Sequence, residues 1–130
     1  MDKNNLNISK IETYLYGIID GKVSDNTYVG TLPDTIQSSW NDMCLIDASN
    51  AIYDLDAYGS GIVLLFLYAR PLSNGTKNVA VMSKLDEKVN EVLSNANSST
   101  YMFTRRATYT DYDAERKWHC NIISLNIVIV

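Results

Sequence analysis

Apolar residues recur along this chain with two different periods, and the periods divide it into helices and strands. Ile11, Leu15, Ile18 and Ile19 fall at helical spacing, which places them on one face of an amphipathic helix. Ser9-Lys10-Ile11-Glu12 ahead of them reads as a capping box, and Asp20-Gly21 reads as a stop with Gly21 in a left-handed conformation. The pattern predicts a first helix over Lys10–Ile19. Met82, Leu85, Val89 and Val92-Leu93 mark a second helix over Val79–Asn95, with Asn78 as N-cap. Lys84, Asp86, Glu87, Lys88 and Glu91 fall on its other side and read as a solvated face.

The remaining apolar runs read as strands. Ile62–Ala69 is continuous, opens after Gly59-Ser60-Gly61 and ends before Pro71. It predicts a strand buried on both faces near the middle of a sheet. Tyr101–Thr110 alternates, with Tyr101, Phe103, Arg105 and Ala107 on one face. Asp111–Arg116 reads as a turn, and Trp118–Val130 as the longest strand, so an antiparallel hairpin is expected. Met43–Asp47 and Ala51–Leu55 predict shorter strands. Lys22–Ser39 is irregular, with Tyr28-Val29 as a short edge strand. The expected fold is α+β, a single domain over residues 1–130. It has one mainly antiparallel sheet with two amphipathic helices packed on it.

Composition bounds the function. A chain of 130 residues buries roughly two-thirds of its unfolded surface, enough for one core without staples. Met1–Leu6 lacks the basic and apolar regions of a signal peptide. The longest apolar run is far short of the roughly 20 residues that span a bilayer. Synthesis and folding in a cytoplasm, with no membrane contact, are expected. The net charge of −4 argues against tight phosphate-driven binding of nucleic acid. That charge is unevenly placed: residues 1–60 carry three Lys against nine Asp/Glu, and residues 61–130 carry eight Lys/Arg against six Asp/Glu. An acidic half joined to a mildly basic half suits head-to-tail contact between copies, provided folding keeps the halves apart.

Residues that carry chemistry are present, but not in constellations. His119 and Cys120 are adjacent, so on a strand they point to opposite faces and do not share a metal. His119 reads as a hydrogen-bonded structural histidine. Cys44 and Cys120 read as two buried thiols, with a disulfide as the alternative in an oxidising compartment. Ser60 lies between glycines without nucleophile-elbow spacing. Asp54-Leu55-Asp56 and Asp111-Tyr112-Asp113 place carboxylates two apart, a spacing that suits a divalent ion on a strand, but turn residues flank both and favour backbone capping. No catalytic, cofactor-binding or metal-binding residue is assigned. The nine tyrosines suit an interface, and Tyr101, Tyr109 and Tyr112 are close enough in sequence to share a patch. Candidate subunit-interface residues are Asp54, Asp56, Tyr58, Arg105, Arg106, Tyr109 and Tyr112. An intersubunit salt bridge to the acidic half is one role for Arg105 and Arg106; phosphate contact is the other.

The layout resembles the tail-terminator, or tail-completion, proteins of tailed bacteriophages. The resemblance is carried by Asp54-Leu55-Asp56-Ala57-Tyr58-Gly59, Leu67-Tyr68-Ala69-Arg70-Pro71 and Asn74-Gly75-Thr76-Lys77-Asn78. Tyr109-Thr110-Asp111-Tyr112-Asp113 and Trp118-His119-Cys120-Asn121-Ile122 add to it. It spans most of the chain as an order of elements, and none of its motifs encodes chemistry. It implies a virion protein assembled in the host cytoplasm, without enzymatic activity or cofactor. Its copies would form a ring, usually a hexamer, that caps the tail tube and docks on the head connector. DNA would pass through the hole without specific binding. A stand-alone binding or adaptor domain, recognising a protein or a small ligand, is the alternative.

Overall fold

The computed structural model describes residues 1–130. A short 3-10 turn, Lys3–Leu6, delivers the extended Asn7 to the start of helix α1, Ile8–Ile19. Asn7 Oδ1 accepts the Lys10 N–H at 3.2 Å, so Asn7 is the cap and the expected Ser9–Glu12 box does not form. Glu12 is used elsewhere: its Oε2 accepts the Ala48 N–H at 3.2 Å and ties α1 to the sheet. Gly21 takes the expected left-handed conformation at φ 73°. Helix α2 spans Val79–Leu93, and Asn78 Oδ1 caps it by accepting the Val81 N–H at 3.2 Å.

Six strands form one sheet: β1 Thr27–Val29, β2 Asp42–Asp47, β3 Ile52–Asp54, β4 Gly59–Ala69, β5 Tyr101–Asp113 and β6 Trp118–Ile129. The order is β1-β2-β4-β6-β5, with β3 beside the first residues of β4 on the edge that β2 uses further along. Every pairing is antiparallel except β1 with β2. The fold is therefore α+β with a mostly antiparallel, mixed sheet. Parallel neighbours need a long crossover, and here Gly30–Asn41 provides it without helix or strand.

The sheet divides the core in two, and the crossover covers the smaller part. Ile11, Leu15 and Ile19 of α1 and Met82, Leu85 and Val89 of α2 pack on one sheet face, against Ile46, Leu65, Leu67, Ile123, Leu125 and Ile127. Each such side chain, fully buried, contributes about 1.5–3 kcal/mol of hydrophobic stabilisation before entropy is counted. On the opposite face Met43, Leu45, Tyr68, Trp118 and Cys120 form a smaller cluster, covered by Leu32, Ile36 and Trp40 of the crossover.

β4 lies mid-sheet as its apolar run predicts, but it is buried on both faces only towards Ala69. Ile62, Leu64 and Phe66 are half-buried, because the crossover reaches only one end of the outer face. The hairpin β5–β6 forms as expected. β5 continues through Asp111 and Asp113, which pair with Cys120 and Trp118, so the turn is confined to Ala114–Lys117.

Candidate functional site

The sheet face opposite the helices is left partly bare by the fold. Alternation along the paired strands aims Ile62, Leu64 and Phe66 of β4, Ile122 and Val128 of β6, Met102 of β5 and Tyr53 of β3 towards it. Phe66 and Ile122 reach the edge of the crossover-covered cluster. Tyr53 is 62% exposed and Met102 42%, and Ile62, Leu64 and Val128 are half-buried.

One clamp holds the crossover to the covered end. Arg70 Nε donates to the Trp40 carbonyl at 2.7 Å and Nη2 to the Gln37 carbonyl at 2.9 Å. Its guanidinium lies 4.6 Å from the Trp118 ring centroid, within cation–π range. Arg70 is a structural residue that sequence patterning misses. The signal was an arginine directly after a buried strand, with an aromatic-bearing irregular segment upstream.

A bulge decides where the candidate interface residues fall. The β5–β6 register slips between Arg105 and Ala107, leaving Arg106 as the extra residue. Before the bulge Tyr101 and Phe103 face the helices. After it the parity reverses: Tyr109, opposite Ile122, lies on the outer face, and Tyr112, opposite His119, on the helix side. Tyr101 is buried, with its hydroxyl donating to the Asn5 carbonyl at 3.2 Å. Tyr101, Tyr109 and Tyr112 therefore share no patch: Tyr101 is buried, the extra residue moves Tyr109 off its face, and Tyr109 and Tyr112, three apart on one strand, point opposite ways.

Arg105 is engaged within the chain. It donates to Asp86 Oδ1 at 2.6 Å, Asn90 Oδ1 at 2.7 Å and Thr108 Oγ1 at 2.7 Å, fastening β5 to α2. Arg106 is exposed and makes no ion pair. Asp54 and Asp56 form a turn: Asp54 Oδ1 accepts the Asp56 N–H at 2.9 Å, and Asp56 is left-handed at φ 64°. That hydrogen bond, with Lys3 Nζ at 3.1 Å, holds the Asp54 carboxyl below the usual carboxylate range. Tyr58 follows the turn and is 45% exposed.

The remaining reactive groups are separated by the sheet. Cys44 lies in the helix-side core and Cys120 in the outer cluster, both as free thiols. Burial pushes each up to about 12, far from the thiolate that nucleophilic or metal chemistry uses. His119 packs against Tyr112 with ring centroids 5.0 Å apart. Its Nδ1 is buried without a hydrogen-bond partner, so the expected hydrogen-bonded histidine is not realised at that nitrogen. No three His, Cys, Asp or Glu side chains gather as a metal site would require, and no helix is long and apolar enough to cross a membrane. Comparison with protein-family models gave no match, and neither did comparison with curated protein sequences.

Proposed function

We propose that this chain is a structural assembly subunit whose copies join into a ring. The ring would cap the tail tube of a tailed bacteriophage and join it to the head connector. The observation that carries the reading is the half-bare outer sheet face, where Tyr53, Ile62, Leu64, Met102 and Val128 meet solvent beside a well-packed cluster. The monomer buries these apolar side chains only in part, whereas a neighbouring copy would cover the rest.

The charge distribution supports the same reading. Sheet order follows chain order closely, so residues 1–60, with three Lys against nine Asp/Glu, supply the strands β1, β2 and β3 on one side of β4. Residues 61–130, with eight Lys/Arg against six Asp/Glu, supply the other. The short strands of the acidic half and the β5–β6 hairpin of the basic half thus lie on opposite sides of β4, which favours head-to-tail contact through the two sheet edges. A net negative ring would let DNA pass without holding it, and the particle neck would be the site of action.

Light scattering and negative-stain microscopy test this. The expected result is a mass several-fold above 14.6 kDa and rings with a central hole, alone or on adding the tail-tube protein. Tyr53→Glu, at a 62% exposed position of the half-bare face, lowers that mass while the separated subunit still unfolds cooperatively. A chain that stays monomeric at high concentration in both settings overturns the proposal.

One observation favours a second reading, a stand-alone binding domain. A groove of about 540 Å³ runs between α1 and the β1 edge, lined by Glu12, Tyr16, Thr27 and Tyr28 among others. A ligand seated there would raise the melting temperature of the monomer by mass action. A thermal-shift screen in which Glu12→Gln abolishes a hit supports this reading, and a screen without hits removes it.

A further inference from the structure

We propose that the second half of β5, Ala107–Asp113, pairs antiparallel with the same segment of a second copy, joining two sheets across a two-fold axis. This goes beyond the ring, because such a contact closes on two copies and builds no ring by itself.

The inference starts from how the two sheet edges are finished. β1 is only three residues long, and the Val29 carbonyl is taken by the Thr31 N–H at 2.9 Å. The start of β5 is capped by its own loop. Phe103 N–H donates to Asn97 Oδ1 at 2.8 Å and Tyr101 N–H to Ser98 Oγ at 3.0 Å. The Ser98 N–H in turn donates to the Tyr101 carbonyl at 2.8 Å. Arg105 then ties the strand to α2, and the Arg106 bulge follows.

Beyond the bulge these protections end. Thr108, Tyr109, Thr110, Asp111 and Tyr112 are consecutively exposed, yet all remain regular strand. In an antiparallel ladder every second residue turns its N–H and C=O away from its partner strand. A long edge without Pro, Lys or a covering loop is a template for another strand.

The segment's chemistry selects its own copy as occupant. The unpaired Arg106 precedes it, and Asp111 and Asp113 end it, Asp113 already paired with Arg116 at 3.1 Å and Asp111 free of any ion pair. Antiparallel self-pairing sets the basic start of one copy against the acidic end of the other. Centred on Thr110, the register places Thr110 beside Thr110, Tyr109 beside Asp111 and Thr108 beside Tyr112 of the second copy. No like charges stand opposite one another, and threonine pairs and hydroxyl–carboxylate pairs are favourable cross-strand neighbours. Parallel pairing in register would instead align Asp111 with Asp111 and Asp113 with Asp113.

Cysteine cross-linking tests the two-fold directly, because only self-pairing brings identical residue numbers together. With Cys44 and Cys120 buried, Thr110→Cys is expected to form a reducible covalent dimer under mild oxidation. Thr104→Cys, exposed but before the bulge, stays monomeric under the same conditions. Thr110→Lys, which sets two ammonium groups on the axis, weakens dimerisation at least tenfold by sedimentation with an unchanged melting temperature. Absence of the Thr110→Cys dimer, or an association unaltered by Thr110→Lys, overturns the proposal. Rings of unaltered total mass in Thr110→Lys leave the ring standing and remove this contact. A wild-type dimer that never grows larger, but dissociates in Thr110→Lys, does the reverse.

Discussion

Replacing Arg70 with methionine probes how the outer cluster is kept covered. Methionine keeps most of the aliphatic stem but removes the guanidinium, so the change isolates the hydrogen bonds to the Trp40 and Gln37 carbonyls and the contact over Trp118. Hydrogen bonds from a charged donor are worth about 1.5–3 kcal/mol each, and partial exposure at Gln37 argues for the lower end. The cation–π contact adds about 0.5–1 kcal/mol. Some of this returns as the freed carbonyls meet water, leaving an expected loss of about 2–3 kcal/mol. With a slope of about 1.5 kcal/mol/M, the urea midpoint falls by roughly 1.5 M. The chain's two tryptophans, Trp40 and Trp118, both belong to this cluster, so emission reports on it directly. Native Arg70→Met is expected to emit further to the red, as the Gly30–Asn41 crossover loosens. Arg70→Lys should recover less than half of the loss, because an ammonium cannot reach both carbonyls in one plane. A midpoint within 0.3 M of wild type for Arg70→Met, with unshifted emission, would refute the clamp.

Three further outcomes are expected. A double-mutant cycle on Arg105→Met and Asp86→Asn should give a coupling of about 0.5–1 kcal/mol, the range for a partly exposed ion pair. Neither variant should change the native mass, since both partners lie in one chain. Cys44 and Cys120, buried and pushed up to about 12, should react with an aromatic disulfide only at the unfolding rate; two thiols titrating within seconds in the native protein would contradict their placement. Asp113 is opposed by its own burial, but hydrogen bonds from the Arg116 N–H and guanidinium outweigh this and hold its carboxyl low. A carboxyl depressed in the folded state binds fewer protons than in the unfolded chain, so its contribution is complete above about pH 4 and lost as pH falls through its folded value. Asp113→Asn should therefore be less stable at pH 7 and show a shallower acid slope below about pH 4. An unchanged slope in urea titrations across that range would count against the assignment.

Local sequence determined the elements whose partners are near in the chain or whose period is long. The stripes Ile11-Leu15-Ile19 and Met82-Leu85-Val89 specify helices because each side chain repeats on one face whatever lies opposite. The run into Ala69 and the short connection from β5 to β6 likewise made a central strand and a hairpin legible. The uneven charge was legible too, although only the strand order placed β1, β2 and β3 on the other side of β4 from the β5–β6 hairpin. Tertiary structure decided the rest. Asn7 took the cap from Ser9 because the preceding 3-10 turn set its backbone, and Glu12 was drawn to Ala48 across 36 residues of chain. One unpaired residue at Arg106 sent Tyr109 to the face opposite Tyr101, and no alternation pattern signals a bulge in advance. The parallel pairing of β1 and β2 required the crossover that covers only one end of the outer face. Periodicity is a property of neighbours along the chain, whereas face, cover and exposed edge depend on neighbours that only folding brings together.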